Sequence, residues 1–229
     1  MRRFAFLGLV ILSGSPIASQ GDDAWTQRFT IEPGELAPTG RNPYFILEPG
    51  YQAVLEDGAE RLVITVLAET RTIDGVATRV VEERETKAAA LVEISRNYYA
   101  ISRLNGNVYY FGEDVDIYKA GKVVSHDGAW LSGVNGARFG QMMPGKPVLN
   151  ARYYEEVAPK VAMDRAPVVS TTEQLTTRAG RFANVLKIEE TTPLEAGHKE
   201  YKWYGAGVGL LRDGGFKLVR SGPTVAPKR

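Results

Sequence analysis

His126 stands in the stretch with the densest set of reactive groups, Asn107 to Trp130 (NVYYFGEDVDIYKAGKVVSHDGAW). A hairpin over residues 115–125, turning near Gly121, would return His126 toward Glu113 and Asp114, with Asp127 beside it. A neutral imidazole flanked by carboxylates can ligate a divalent metal or act as a general base. Glu113, Asp114, His126 and Asp127 therefore form a candidate metal site, for a metal-binding module or a metal-dependent hydrolase. The same residues also read as solvated turn acids with His126 bonded to a loop. Their spacing is not that of an EF-hand loop. His198, the second histidine, follows Gly197 at a turn and reads as a solvated loop residue. Two histidines and no cysteine exclude a three-histidine or thiolate zinc centre.

Nucleophilic catalysis has little to work with. Ser125 and His126 are adjacent, and neighbours on a strand point to opposite faces. There is no G-x-S-x-G elbow. Gly205-Ala206-Gly207-Val208-Gly209 is not followed by a helical pattern, so it reads as a strand bend and not as a nucleotide loop. No catalytic residue and no cofactor is expected.

A second set of residues suits binding. Tyr99, Tyr109, Phe111, Trp130, Tyr201 and Trp203 lie in strand-like runs. The glycine-rich segment Gly133 to Pro147 (GVNGARFGQMMPGKP) adds Phe139, Met142 and Met143. Methionine adapts to varied apolar neighbours, so this segment reads either as a loop plugging a barrel end or as a lid over a cavity. The nine side chains are the candidate ligand-binding residues. A one-residue slip in register would turn each of them to the other face.

The elements that must position them read as strands. With 44% hydrophobic and 24% charged residues, the composition is that of an ordinary globular protein. The balance of 28 basic against 27 acidic residues lacks the basic excess of a nucleic-acid binder. Runs rich in Val, Ile, Thr, Tyr, Phe and Trp are separated by Asp57-Gly58, Asp74-Gly75, Asn105-Gly106, Asp127-Gly128 and Asn135-Gly136, the dipeptides of tight turns. Alternation in Lys199 to Tyr204 predicts Tyr201 and Trp203 against the core, with Glu200 and Lys202 in water. Phe182, Leu186 and Ile188 are expected on one face, and Arg61 to Ala68 as a central strand. Arg79 to Ile94 admits a helix, but Val80-Val81 and Tyr98-Tyr99 favour two strands, Val76 to Thr86 and Leu91 to Ser102, around Lys87-Ala88-Ala89-Ala90. The expected fold is all-β, a single antiparallel barrel or half-barrel of about ten strands, with a sandwich as the alternative.

Residues 1–20 have the layout of a secretory signal peptide: Arg2 and Arg3, an apolar run from Phe4 to Leu12, then small and polar residues. The mature chain would carry 26 basic and 27 acidic residues and no transmembrane anchor. Residues 21–41 read as an extended leader, 42–219 as a single β domain and 220–229 as a flexible tail. Export and the absence of cysteine favour a Gram-negative periplasm or secretion without disulfides.

NPYFILEPG, GVATRVVEERE, GNVYYFGEDV and SHDGAWLSGVNGARFGQMMP resemble a family of exported bacterial β-rich proteins to which no activity is attached. GRFANVLKIEETTPLE and EYKWYGAGVGLL resemble the closing hairpins of a wider group of such domains, distantly similar to lipoprotein-carrier half-barrels. The resemblance spans about Asn42 to Leu211 and implies a curved sheet and export. The family tends to have a glycine turn where this chain has Lys87-Ala88-Ala89-Ala90, and Trp where it has Tyr109. Together these readings lead to an exported, non-enzymatic barrel holding a hydrophobic small molecule or acyl chain on a concave aromatic face. The alternatives are the metal site and a structural role in binding an envelope protein; nucleic acid is not an expected partner.

Overall fold

The computed structural model describes residues 25–32 and 34–224. The signal-peptide reading of residues 1–20 lies outside the described residues. The strands are β1 (Leu36–Ala37), β2 (Gly40–Asn42), β3 (Phe45–Leu47), β4 (Tyr51–Asp57), β5 (Glu60–Ile73), β6 (Val76–Lys87), β7 (Ala90–Ser102), β8 (Val108–Lys119) and β9 (Lys122–Ser125). They continue as β10 (Trp130–Leu131), β11 (Arg138–Met143), β12 (Arg152–Tyr154), β13 (Glu156–Val157), β14 (Arg165–Thr177), β15 (Gly180–Glu190), β16 (Glu200–Gly205), β17 (Gly209–Asp213) and β18 (Phe216–Pro223).

Thirteen of these follow one another in an antiparallel sheet, in the order β12-β14-β15-β16-β17-β18-β4-β5-β6-β7-β8-β11-β13. The sheet curls into a nearly closed barrel. Its two outermost strands, β12 and β13, are consecutive in the chain, and Glu155 alone separates them. The backbone therefore crosses from one edge of the sheet to the other within a single residue. Gly140 makes this crossing possible, because a Cβ there would lie 2.4 Å from the Glu155 carbonyl oxygen. The free edge of β8 is covered piecewise, by β11 at Tyr109 and Tyr110, by β10 at Gly112 and Glu113, and by β9 toward Lys119.

Residues 79–94 form two strands. Ala88 and Ala89 close the β6–β7 hairpin with φ of 47° and 65°, the left-handed pair that Asp74 and Gly75 supply in the β5–β6 turn. The strand reading thus holds although alanine occupies positions that favour Asn and Gly.

The 21–41 leader is part of the packing where it is described. Trp25 meets the Tyr154 ring edge-on, Phe29 packs against Tyr109, and Leu36–Ala37 pairs with β7. Of the residues read as the tail, Arg220, Ser221, Gly222 and Pro223 pair with β4. In the segment read as a glycine-rich loop, Arg138–Met143 is a strand bonded to β8, and Met142 and Met143 are buried.

One predicted face is reversed and a second is split by a bulge. In β16, Lys202 and Tyr204 are buried, whereas Tyr201 and Trp203 lie on the other face beneath Lys187 and Arg212. The alternation is real, but its sign depends on where Lys202 finds counter-charges, and these lie inside. In β15, Asn184 adopts φ 52° where the pairing with β14 shifts register. Val185 and Phe182 consequently pack in one hydrophobic cluster, while Leu186 and Ile188 pack in another.

β2 and β3 form a separate hairpin that touches β7 on one wall and β17 on another. It is pinned by Asn42, whose Nδ2 donates to the Gly106 and Pro144 carbonyls at 2.8 and 3.0 Å and whose Oδ1 accepts from Tyr44 N at 2.7 Å. Gly207 N donates to Pro43 O at 2.7 Å, latching the hairpin tip to the β16–β17 turn.

Candidate functional site

The inward faces of β5 to β8 and of β16 to β17, together with the β2–β3 hairpin, enclose a chamber of about 860 Å³, including the part open to solvent. The space open to the centre of a water molecule is about 90 Å³, so the chamber is a narrow slot. That volume is below the roughly 300–1,000 Å³ of drug-sized ligand sites, and the lining divides by chemistry. Phe45 and Ile46 of the hairpin, Tyr51, Ile64, Val66, Val81, Met142 and Leu210 provide apolar surface. Glu83, Ser95, Asn97, Glu113, Lys202 and Asp213 provide a polar end.

Register explains that end. Glu83 pairs with Ser95, and Asn97 with Glu113, on three neighbouring strands. Directly opposed residues of antiparallel strands share a face, so these four side chains line one stretch of wall. Tyr110 lies beside them, donating from its hydroxyl to Asn97 Oδ1 at 2.6 Å and stacking on Tyr99 at 4.8 Å between centroids. Tyr99 in turn meets Phe45 edge-on at 4.9 Å. Burial pushes the Tyr99 hydroxyl well above the usual tyrosine range, and the carboxylates of Glu83 and Glu113 add to the effect.

Across the chamber, Lys202 Nζ lies 2.8 Å from Glu190 Oε1 and 3.9 Å from Asp213 Oδ2, with all three side chains nearly out of solvent. Burial alone would lower the lysine, but Glu190 and Asp213 outweigh it and hold the ammonium well above its ordinary range. Glu190 is raised by burial even though Lys202 pulls it down. Glu155, at the one-residue crossing, is fully buried, and neither carboxyl oxygen has a hydrogen-bond partner among the described residues. Burial, followed by repulsion from Glu190, raises it well above the carboxylate range, against the pull of Lys202.

Of the nine residues expected to bind a ligand, Tyr99 and Met142 line this chamber. Trp130 and Met143 are buried in the adjoining core, with Trp130 edge-on to Tyr110 at 5.2 Å. Tyr109, Phe111 and Phe139 form a separate cluster, in which Phe111 stacks on Phe139 at 4.9 Å. Tyr201 and Trp203 are on the outer face.

The four metal candidates do not converge. The hairpin does turn at Ala120 and Gly121, but it returns His126 to Asp116 Oδ1 at 3.0 Å and the Val115 carbonyl at 2.8 Å. Glu113 faces the chamber, while Asp114, its neighbour on the strand, points outward. There Asp114 Oδ2 accepts from Arg71 at 2.7 Å and from the Tyr98 hydroxyl at 2.6 Å. Burial and the bond to Asp114 push that hydroxyl up to about 12. The Asp127 backbone N donates to Ser125 Oγ. Among the described residues, no group of three or more His, Asp or Glu side chains is placed to hold a metal ion. No helix among the described residues is long and apolar enough to cross a membrane.

Sequence reasoning missed Glu83, Asp213 and Lys202. Lys202 sits in a strand where charged and apolar residues alternate, a pattern that gives a period without saying which phase faces in. Glu83 lies in the charged run Glu82-Glu83-Arg84-Glu85 and Asp213 ends β17, where there is no alternation to read. Comparison with known proteins returns no matching family model, no matching curated protein and no matching solved structure.

Proposed function

We propose that this protein is an exported, non-enzymatic carrier or receptor that holds a small amphipathic molecule inside its barrel. The observation that supports this is the divided chamber beneath the β2–β3 hairpin, with apolar walls leading to a polar end. An apolar tail gains roughly 25 cal/mol for each Å² it removes from water there. Its head group meets hydrogen-bonding side chains instead of a dry wall. The hairpin covers the chamber, bridging two walls without joining the main sheet.

Native mass spectrometry of protein purified gently from its source tests the reading. The expected result is a mass above that of the chain, which organic extraction removes. Met142→Trp, which fills the slot, should abolish that added mass with the far-ultraviolet circular dichroism unchanged. A bare chain mass, together with failure of the extracted protein to bind the apolar dye N-phenylnaphthylamine, would overturn it.

A further inference from the structure

Resting on the chamber reading, we infer that the head group of the bound molecule is an ammonium cation. The charged side chains lining the chamber are Glu83, Glu113, Asp213 and Lys202. Three are acids. The single cation is already compensated, because Lys202 is held 2.8 Å from Glu190, which does not line the chamber, and lies 3.9 Å from Asp213. An anionic head would meet the acids of the polar end with Lys202 already occupied. A neutral head would leave the negative potential of that end unused.

A second observation points the same way. The Glu83 side chain makes no hydrogen bond or ion pair to another described residue, yet it faces the chamber from a half-buried position. Beside it are the rings of Tyr99 and Phe45, arranged edge to face. Aromatic faces attract cations through their quadrupole, most strongly where water is excluded. A carboxylate next to aromatic rings in a partly dry slot is suited to an alkylammonium. The apolar stretch from Ile64 and Val66 to Met142 and Leu210 would take its chain.

Titration calorimetry with three probes of equal chain length decides the question: octyltrimethylammonium, octanoate and octanol, each below its micelle concentration. The ammonium should bind about tenfold or more tightly than octanoate, an increment of the size carried by one favourable charge contact. Glu83→Gln should remove most of that preference while octanol binding stays as in the wild type. The wild-type comparison stands alone if the variant folds poorly. Octanoate binding as well as or better than the ammonium, or equal binding of all three, would overturn the head-group assignment and leave the chamber reading intact. Binding of none of the three would overturn both.

Discussion

Glu155 has the most extreme environment of any carboxyl group in the site. It is fully buried, its oxygens have no hydrogen-bond partner among the described residues, and Glu190 lies close enough to repel its charge. An acid whose pKa is raised on folding binds more protons folded than unfolded. Stability therefore falls as pH rises from the ordinary value of 4.5 toward the raised one, and then levels off. The slope within that window is about 1.4 kcal/mol per pH unit. Lys202, also raised, loses its contribution only above its ordinary 10.5, so it does not mask this decline. Denaturant melts at a series of pH values should show the decline in the wild type and a flatter profile in Glu155→Gln. Parallel profiles would assign the titration to another group. At the same scale, the chemistry of single residues was only half legible in the sequence. Glu113 stood out because it neighbours Asp114 and precedes a histidine, but its partners proved to be Asn97 and the chamber. Strand parity separated it from Asp114, and the hairpin returned His126 to Asp116 instead.

Two hairpins allow sharper tests at the level of elements. The β6–β7 turn places Ala88 and Ala89 in the left-handed region, where a side chain with Cβ costs on the order of 1 kcal/mol or more. Replacing the pair with Asn-Gly should stabilise the protein by about 1–2 kcal/mol, read as a raised denaturation midpoint with unchanged slope. The β2–β3 hairpin hangs on Asn42, which is almost wholly buried. Asn42→Ala leaves the Gly106 and Pro144 carbonyls without their donor and should cost about 1–3 kcal/mol. Hydrogen exchange should also quicken at Phe45–Leu47 relative to β7. The strands themselves were well marked in the sequence, by β-branched runs and by turns such as Asp74-Gly75. The phase of β16 was not, since Tyr201 and Trp203 suit a core as well as Lys202 and Tyr204 do. Only the counter-charges on β15 and β17 decide between the two phases. The Asn184 bulge was equally hidden, because Phe182 to Ile188 reads as one alternation until the pairing is known.

For the whole molecule, an antiparallel all-β barrel was legible, and its manner of closure was not. Nothing in Tyr153-Tyr154-Glu155-Glu156 distinguishes a crossing between the two margins of a sheet from an ordinary strand. The short flanking strands and the tight fit at Gly140 become visible only with long-range pairing in place. This join also has a mechanical meaning. A sheet rolled up and fastened by hydrogen bonds alone can unzip from either margin, but here the buckle of the belt is the main chain itself. Thermal motion can loosen the pairing of β12 or β13 without letting the two margins drift apart. A protease cut after Glu155 would remove that tether and turn a continuous hoop into a ribbon with two raw edges, each able to recruit a strand from another molecule.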